Sequence, residues 1–171
     1  MDARAKLLGH PIHQMLIVFP LGLLATSLFF DIAHLITKRG DLLIVSYWMI
    51  TVGIITGLCA AVFGFIDWLS IPKNTRARAL GVWHGWGNVV VVMLFIVSWF
   101  SRYRTGAAAT VPSAIYLSAV AVLIALFTGW LGGELVDRLG VGVDEGAHLN
   151  APSSLSGRPA REESRTTHIG V

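Results

Sequence analysis

Charge is scarce in this chain, and cysteine nearly absent. Charged residues make up 13% of the 171, about half of what a soluble domain carries at roughly 25%. With 54% of residues apolar, that scarcity excludes an ordinary soluble domain and leaves an integral membrane protein. The one cysteine, Cys59, excludes an intramolecular disulfide and any cysteine-based metal cluster; it falls mid-span, where a small buried packing residue is expected. The net charge of +3 and pI near 9.4 could suit a nucleic-acid partner. The cations, however, lie in short loops and tails rather than on one face, which excludes nucleic acid.

What the chain does have is long runs without Asp, Glu, Lys or Arg. They cover Leu7 to Phe30, Leu42 to Ile66, Ala79 to Ser101 and Thr105 to Gly133, or 24, 25, 23 and 29 residues. About 20 apolar residues of helix cross a bilayer's hydrocarbon core, so each run can span once. The fold class is therefore all-α, an integral membrane four-helix bundle with antiparallel up-down spans, because the short connections force neighbours to run in opposite directions. The spans are expected at about 11–37, 42–70, 79–101 and 112–137, after a short N-terminal segment of residues 1–10. A disordered tail over 141–171 follows the domain of 11–140, since its Gly, Pro, Ser and mixed charge cannot bury a core.

Local signals set these boundaries. Pro11 suits a first helical turn, Pro20 should kink the first span and free the Leu16 carbonyl, and Ile71-Pro72 should stop the second helix. The first span could also be read as a cleaved signal peptide, with Arg4 and Lys6 before an apolar run and small residues Ala25, Thr26 and Ser27; Pro20 and the two preceding histidines favour a retained helix. Aromatics prefer the membrane interfaces. Tyr47, Trp48, Trp99, Tyr103 and Tyr116 mark one face, and Trp68, Trp83, Trp86 and Trp130 mark the face carrying both termini. Near the terminal face stand Arg4, Lys6, Lys73, Arg76, Arg78 and Arg138, against Lys38, Arg39, Arg102 and Arg104 opposite. This cation bias places both termini in the cytoplasm of a multi-pass inner (plasma) membrane protein.

Small residues on one helix face let backbones approach in lipid. Gly53, Gly57, Ala60 and Gly64 form such a seam on the second helix, which continues to Asp67, and Gly81 with Gly85 repeat the pattern on the third. Polar groups inside a bilayer are expensive and commonly functional where several converge. His10, His13, Asp67, His84 and Glu134 all belong to the terminal face, His84 sharing a helix face with Gly81 and Asn88. Each hairpin thus starts with histidine and ends with an acid, as a duplicated two-helix unit would, although the sequences between barely match.

Each polar residue also has a plain structural role open to it. His10 can cap the first helix, His13 can sit among headgroups, Asp67 can accept hydrogen bonds from neighbouring helix ends, and Glu134 can pair with Arg138 at i,i+4. His84 and Asn88 can be simple interhelical hydrogen-bonding groups. On the other face, Asp31 and His34 form a local i,i+3 pair.

Gly9-His10-Pro11-Ile12-His13 with Phe19-Pro20-Leu21-Gly22, Gly64-Phe65-Ile66-Asp67 with Ile71-Pro72, then His84 and Asn88, Gly129-Trp130-Leu131-Gly132-Gly133-Glu134-Leu135-Val136, and Gly140-Val141-Gly142-Val143 occur in this order. In these motifs the chain resembles the bacterial domain-of-unknown-function 2231 membrane family over roughly residues 8 to 144. The resemblance implies a four-helix membrane domain, sometimes joined to a Rieske-type iron–sulfur domain, and hence a redox setting. It also implies His10, His13, Asp67 and His84 as signature polar positions. This chain has no Rieske ligands, so a redox partner would be a separate protein.

Three functional readings stand. In the first, His13 and His84 bind one haem b between helices, as bis-histidine ligation needs two imidazoles at similar depth; with His34 alone opposite, a two-haem wire is excluded. In the second, His10, His13, Asp67 and His84 supply N and O ligands for a Zn or Fe ion or handle protons. The third is a non-catalytic membrane scaffold or partner subunit, self-association into a homo-oligomer included. A serine hydrolase built on Ser70 lacks any supporting motif.

Overall fold

A computed structural model describes residues 1–161. A two-residue turn joins strands β1 (Lys6–Leu7) and β2 (His10–Pro11), and helices α1 (Ile12–Leu16), α2 (Val18–Thr37), α3 (Asp41–Ser70), α4 (Arg76–Thr105) and α5 (Pro112–Gly133) follow. Four rods result, Ile12–Thr37, Asp41–Ser70, Arg76–Thr105 and Pro112–Arg138, each long and apolar enough to cross a membrane. The protein is an all-α, multi-pass membrane bundle, as the charge-free runs require. Its periphery is apolar in keeping with lipid: Phe29, Ile36, Val62, Leu123 and Phe127 are all exposed.

Most boundaries have the local causes read from the sequence. The first rod breaks at Ile17, one turn before Pro20, whose missing N–H leaves the Leu16 carbonyl without its helical partner. Lys38 ends α2 in the left-handed conformation at φ 60°, and Ile71, extended before Pro72, ends α3. Helix α4 is a turn longer at each end than its charge-free run. The Thr75 side chain accepts from the Arg78 N–H at its start, and Arg102 and Arg104 lie within its last turn. After α5 the chain widens into a π-helical turn, Glu134–Arg138, closed by Leu139 N–H to the Glu134 carbonyl at 3.1 Å.

The N-terminal hairpin was not foreseen. Its turn needs left-handed backbone at Leu8 (φ 51°) and Gly9 (φ 85°), and at Gly9 a Cβ would also fall 2.6 Å from the Ser154 Cβ. The segment expected as a disordered tail reaches this hairpin. Gly142 N–H donates to the Met1 carbonyl at 2.9 Å, and the Ser154 hydroxyl donates to the Leu8 carbonyl at 3.2 Å. Residues 162–171, the end of that expected tail, lie outside the described residues.

The core is layered. In the middle of the bundle Leu24, Ile50, Val91, Phe95 and Ala121 pack together. Towards the non-terminal face lies a buried polar layer whose centre is Asp31 with Arg102, 0% and 2% exposed. Their ion pair is bidentate, Nη1 to Oδ1 and Nη2 to Oδ2, both at 2.7 Å. Arg102 also donates from Nε to Ser98 Oγ (3.3 Å), from Nη1 to Ser46 Oγ (3.4 Å) and from Nη2 to Ser118 Oγ (3.4 Å). Asp31 is therefore not the local partner of His34. That histidine instead donates from Nδ1 to the Arg39 carbonyl and accepts at Nε2 from the Thr110 hydroxyl, both at 2.8 Å.

The glycines expected to form a seam are packed unevenly. A Cβ at Gly53 would fall 2.6 Å from Leu24 Cδ2, one at Gly64 2.8 Å from the His13 ring, and one at Gly81 2.7 Å from Trp68 Cδ1. At Gly57 the nearest atoms lie at ordinary contact distance, Pro20 Cβ at 3.5 Å, and at Gly85 nothing lies within 4 Å. Gly85 thus faces away from the interface, and Gly87, which the spacing passed over, packs on Thr128 instead. Cys59 is exposed on the outer side of α3 rather than buried, since the seam turns Gly53, Ala60 and Gly64 inward and leaves it outside.

Two outcomes follow. Asp31→Leu or Arg102→Leu alone should cost about 3–5 kcal/mol by stranding the partner's charge, whereas the double variant should recover most of that loss; thermal unfolding in detergent measures all three, and additive losses would contradict the paired account. Gly53→Leu should lower the melting temperature well below that of Gly85→Leu, and equal values would refute the seam.

Candidate functional site at the terminal face

His13 and His84 stand on different hairpins and meet at this face, with ring centroids 6.4 Å apart and planes at 88°. Each ring is held in the same way. His13 Nδ1 lies 2.8 Å from the Ala60 carbonyl of α3, and His84 Nδ1 lies 2.9 Å from the Thr128 carbonyl of α5. A carbonyl only accepts, so both rings carry the proton on Nδ1 and keep the lone pair on Nε2. One helical turn beyond each carbonyl, a glycine clears space for the ring: Gly64 under His13 and Gly132 under His84, where a Cβ would fall 2.8 and 3.2 Å from ring atoms.

This correspondence extends through both hairpins. His13 and His84, Leu24 and Phe95, Ser27 and Ser98, and Asp31 and Arg102 are each 71 positions apart. On the return helices Ile50 and Ser118, Gly53 and Ala121, Ala60 and Thr128, and Gly64 and Gly132 are each 68 apart. Partners share their burial throughout this set of inward positions. The two hairpins repeat one burial pattern, and the repeat expected from histidine and acid positions is matched by the contacts of the two histidines. It fails for the acids: the register sets Leu135, not Glu134, opposite Asp67.

The remaining polar residues point to other partners. Asp67 Oδ1 accepts from the backbone N–H groups of Arg4 (2.8 Å) and Ala5 (3.0 Å), tying the N-terminal segment to the end of α3. Glu134 pairs with Arg76 at 2.8 Å rather than with Arg138, because the π-helical turn shifts the i,i+4 register. His10 lies exposed in β2, with Nε2 3.5 Å from Ser154 Oγ, and the N-cap of α1 is Pro11. Among the described residues no group of three or more His, Cys, Asp or Glu side chains is disposed to hold a metal ion.

Over this end of the bundle the two termini form a clasp. Besides the Gly142 to Met1 bond, Gln14 Nε2 donates to the Val141 carbonyl at 3.4 Å, and Lys6 forms an ion pair with Asp144. The Lys6 ammonium holds the Asp144 carboxyl below its usual range, and the hydrogen bond that Lys6 donates to Asp144 raises Lys6 above its own. A depressed carboxylate stabilises the clasp above its ordinary pKa and loses that effect as pH falls through the folded value. The raised ammonium contributes below its ordinary pKa and is lost as pH climbs through its folded value. Sequence reading missed this clasp, since nothing in the periodicity links residues more than a hundred positions apart.

A family model described as a predicted membrane protein (DUF2231) matches residues 9–145, which takes in the four rods and the C-terminal side of the clasp. Neither a curated protein nor a solved structure matches the chain.

Replacing Asp67 by Ala should release the N-terminal segment while leaving α3 helical. Amide exchange at Arg4 and Ala5 should then accelerate by roughly tenfold or more, in line with the loss of two charge-assisted hydrogen bonds; unchanged exchange would show that the hairpin is held elsewhere.

Proposed function

The chain belongs to the DUF2231 family of predicted membrane proteins, and we propose that it binds one haem b through His13 and His84 in a redox setting at the membrane surface. The carrying observation is the His13–His84 pair, with both Nδ1 atoms tied to backbone carbonyls. That is how ligating histidines are oriented, one nitrogen being held so that the other can coordinate; His13 Nε2 would do so directly, and His84 Nε2 on release of the Asn88 amide 3.3 Å away. A porphyrin would supply four ligands of its own, so the two histidines would be enough to hold its iron. A Zn or non-haem Fe site needs three or four protein ligands, and here His10 is exposed beside Ser154 while the Asp67 oxygen is engaged by two amides. A bound haem would supply one-electron chemistry; the chain's own part is to hold two imidazoles in one tautomer. An electron donor or acceptor would be a separate protein.

The scaffold reading has its own supporting observation. Among the described residues no buried side-chain nitrogen or oxygen lacks a hydrogen-bond partner, as suits a bundle whose polar groups serve assembly. An absorption spectrum with metal analysis on detergent-purified protein separates the two. The haem reading expects a Soret band with a low-spin spectrum that the double variant His13→Ala/His84→Ala lacks. No Soret band and no stoichiometric metal in the wild type would leave the scaffold.

We also propose an inner-membrane location with both termini in the cytoplasm. Arg102, spent inside the bundle on Asp31, drops out of the loop cations, so six at the terminal face oppose Lys38, Arg39 and Arg104. A periplasm-active reporter should work when fused after Gly40 and stay silent after Asn150; the reverse would invert the topology.

A further inference from the structure

The two imidazoles occupy matched positions but have unlike surroundings. Where His84 has Asn88 one turn along its helix, His13 has Ile17; where His84 faces Thr128, His13 faces Ala60. Asn88 Nδ2 lies 3.3 Å from His84 Nε2 and 2.8 Å from the His84 carbonyl. The Thr128 hydroxyl in turn lies 3.2 Å from Asn88 Oδ1, while its carbonyl takes the His84 Nδ1 proton. His84, Asn88 and Thr128 therefore close a ring in which both imidazole nitrogens are used. His13 has only its Nδ1 bond to Ala60 among the described residues.

A lone pair on Nε2 can be given to an N–H or to a metal, but not to both. His13 can coordinate without losing any bond, whereas His84 must first give up Asn88. We propose that His13 would be the permanent ligand of the iron and His84 the exchangeable one, with Asn88, braced by Thr128, as the positioning residue that holds His84 back. A small diatomic ligand of the carbon monoxide class would then enter on the His84 side. This rests on the haem reading above and adds a position at which an exogenous ligand competes with a side chain of known holding partner.

The test uses the full-length protein purified in detergent with haem, reduced, and titrated with carbon monoxide while the Soret band is followed. His84→Ala should keep haem and bind carbon monoxide more tightly than wild type, and His13→Ala should lose most of its haem. Asn88→Leu, which cannot donate, should strengthen His84 as a competitor and weaken carbon monoxide binding by roughly two- to tenfold, the worth of one hydrogen bond. Thr128→Val keeps the carbonyl and the shape against Gly87, loosens Asn88, and should shift binding the same way by less. A second readout needs no haem: in the haem-free protein, Asn88→Leu should move the His84 Nε2 nitrogen resonance towards that of an unbonded imidazole nitrogen and leave His13 unmoved.

Equal carbon monoxide affinity in wild type and Asn88→Leu, an unmoved His84 resonance, or haem retained by His13→Ala and lost by His84→Ala would overturn this assignment alone. A wild type with no Soret band would overturn the haem reading and this assignment with it.

Discussion

A guanidinium with five N–H groups, shut inside an apolar bundle, must find five acceptors or be expelled. Arg102 finds them on all four rods: both oxygens of Asp31 on α2, Ser46 on α3, Ser98 on its own helix and Ser118 on α5. Lipid gives no hydrophobic drive for helices to associate, so contacts of this kind set which helices pack and in what register. Sliding any rod by one turn would break at least one of these bonds with no water to replace it. The packing of Gly53 on Leu24 and of Gly64 on His13 follows within a register that Arg102 already restricts.

The repeated pattern of the two hairpins explains why this pair is unlike. Asp31 and Arg102 hold equivalent positions in the two hairpins and meet inside the bundle. Two identical hairpins would bring like charges together there, which no arrangement of serines could offset. The duplicated halves therefore had to differ at this position. At the other end the repeat survives, and each imidazole meets a carbonyl and a glycine of its own hairpin. Asn88 and Thr128 in place of Ile17 and Ala60 then give the matched pair unlike hydrogen-bond surroundings.

Between these ends lies the apolar layer of Leu24, Ile50, Val91, Phe95 and Ala121. It separates the His13–His84 pair from the Asp31–Arg102 network. The clasp of Met1, Lys6, Val141, Gly142 and Asp144 spans the aqueous end beside the histidines. Its contacts are polar and partly exposed, whereas those of the far network are buried, so the terminal end is the softer of the two.

Length and polarity along the chain determined that this is a four-span helical membrane protein, because crossing a bilayer needs apolar runs of a set length and those runs are legible one residue at a time. Pro20, Pro72 and the glycine spacing likewise act locally or along one helix, and so do the histidine positions. Partner choice was decided only in three dimensions. Arg102 reads in sequence as one more loop cation, Asp31 as the neighbour of His34, and Glu134 as the partner of Arg138; each of these assumes that the nearest opposite charge wins. Inside the bundle the winner is whichever group burial leaves without water, and that depends on where α2 and α4 meet, on a π-helical turn that displaces Glu134 by one position, and on a terminal hairpin whose two amides occupy Asp67. Sequence spacing places residues on helix faces, but which faces meet is a property of the packed bundle alone.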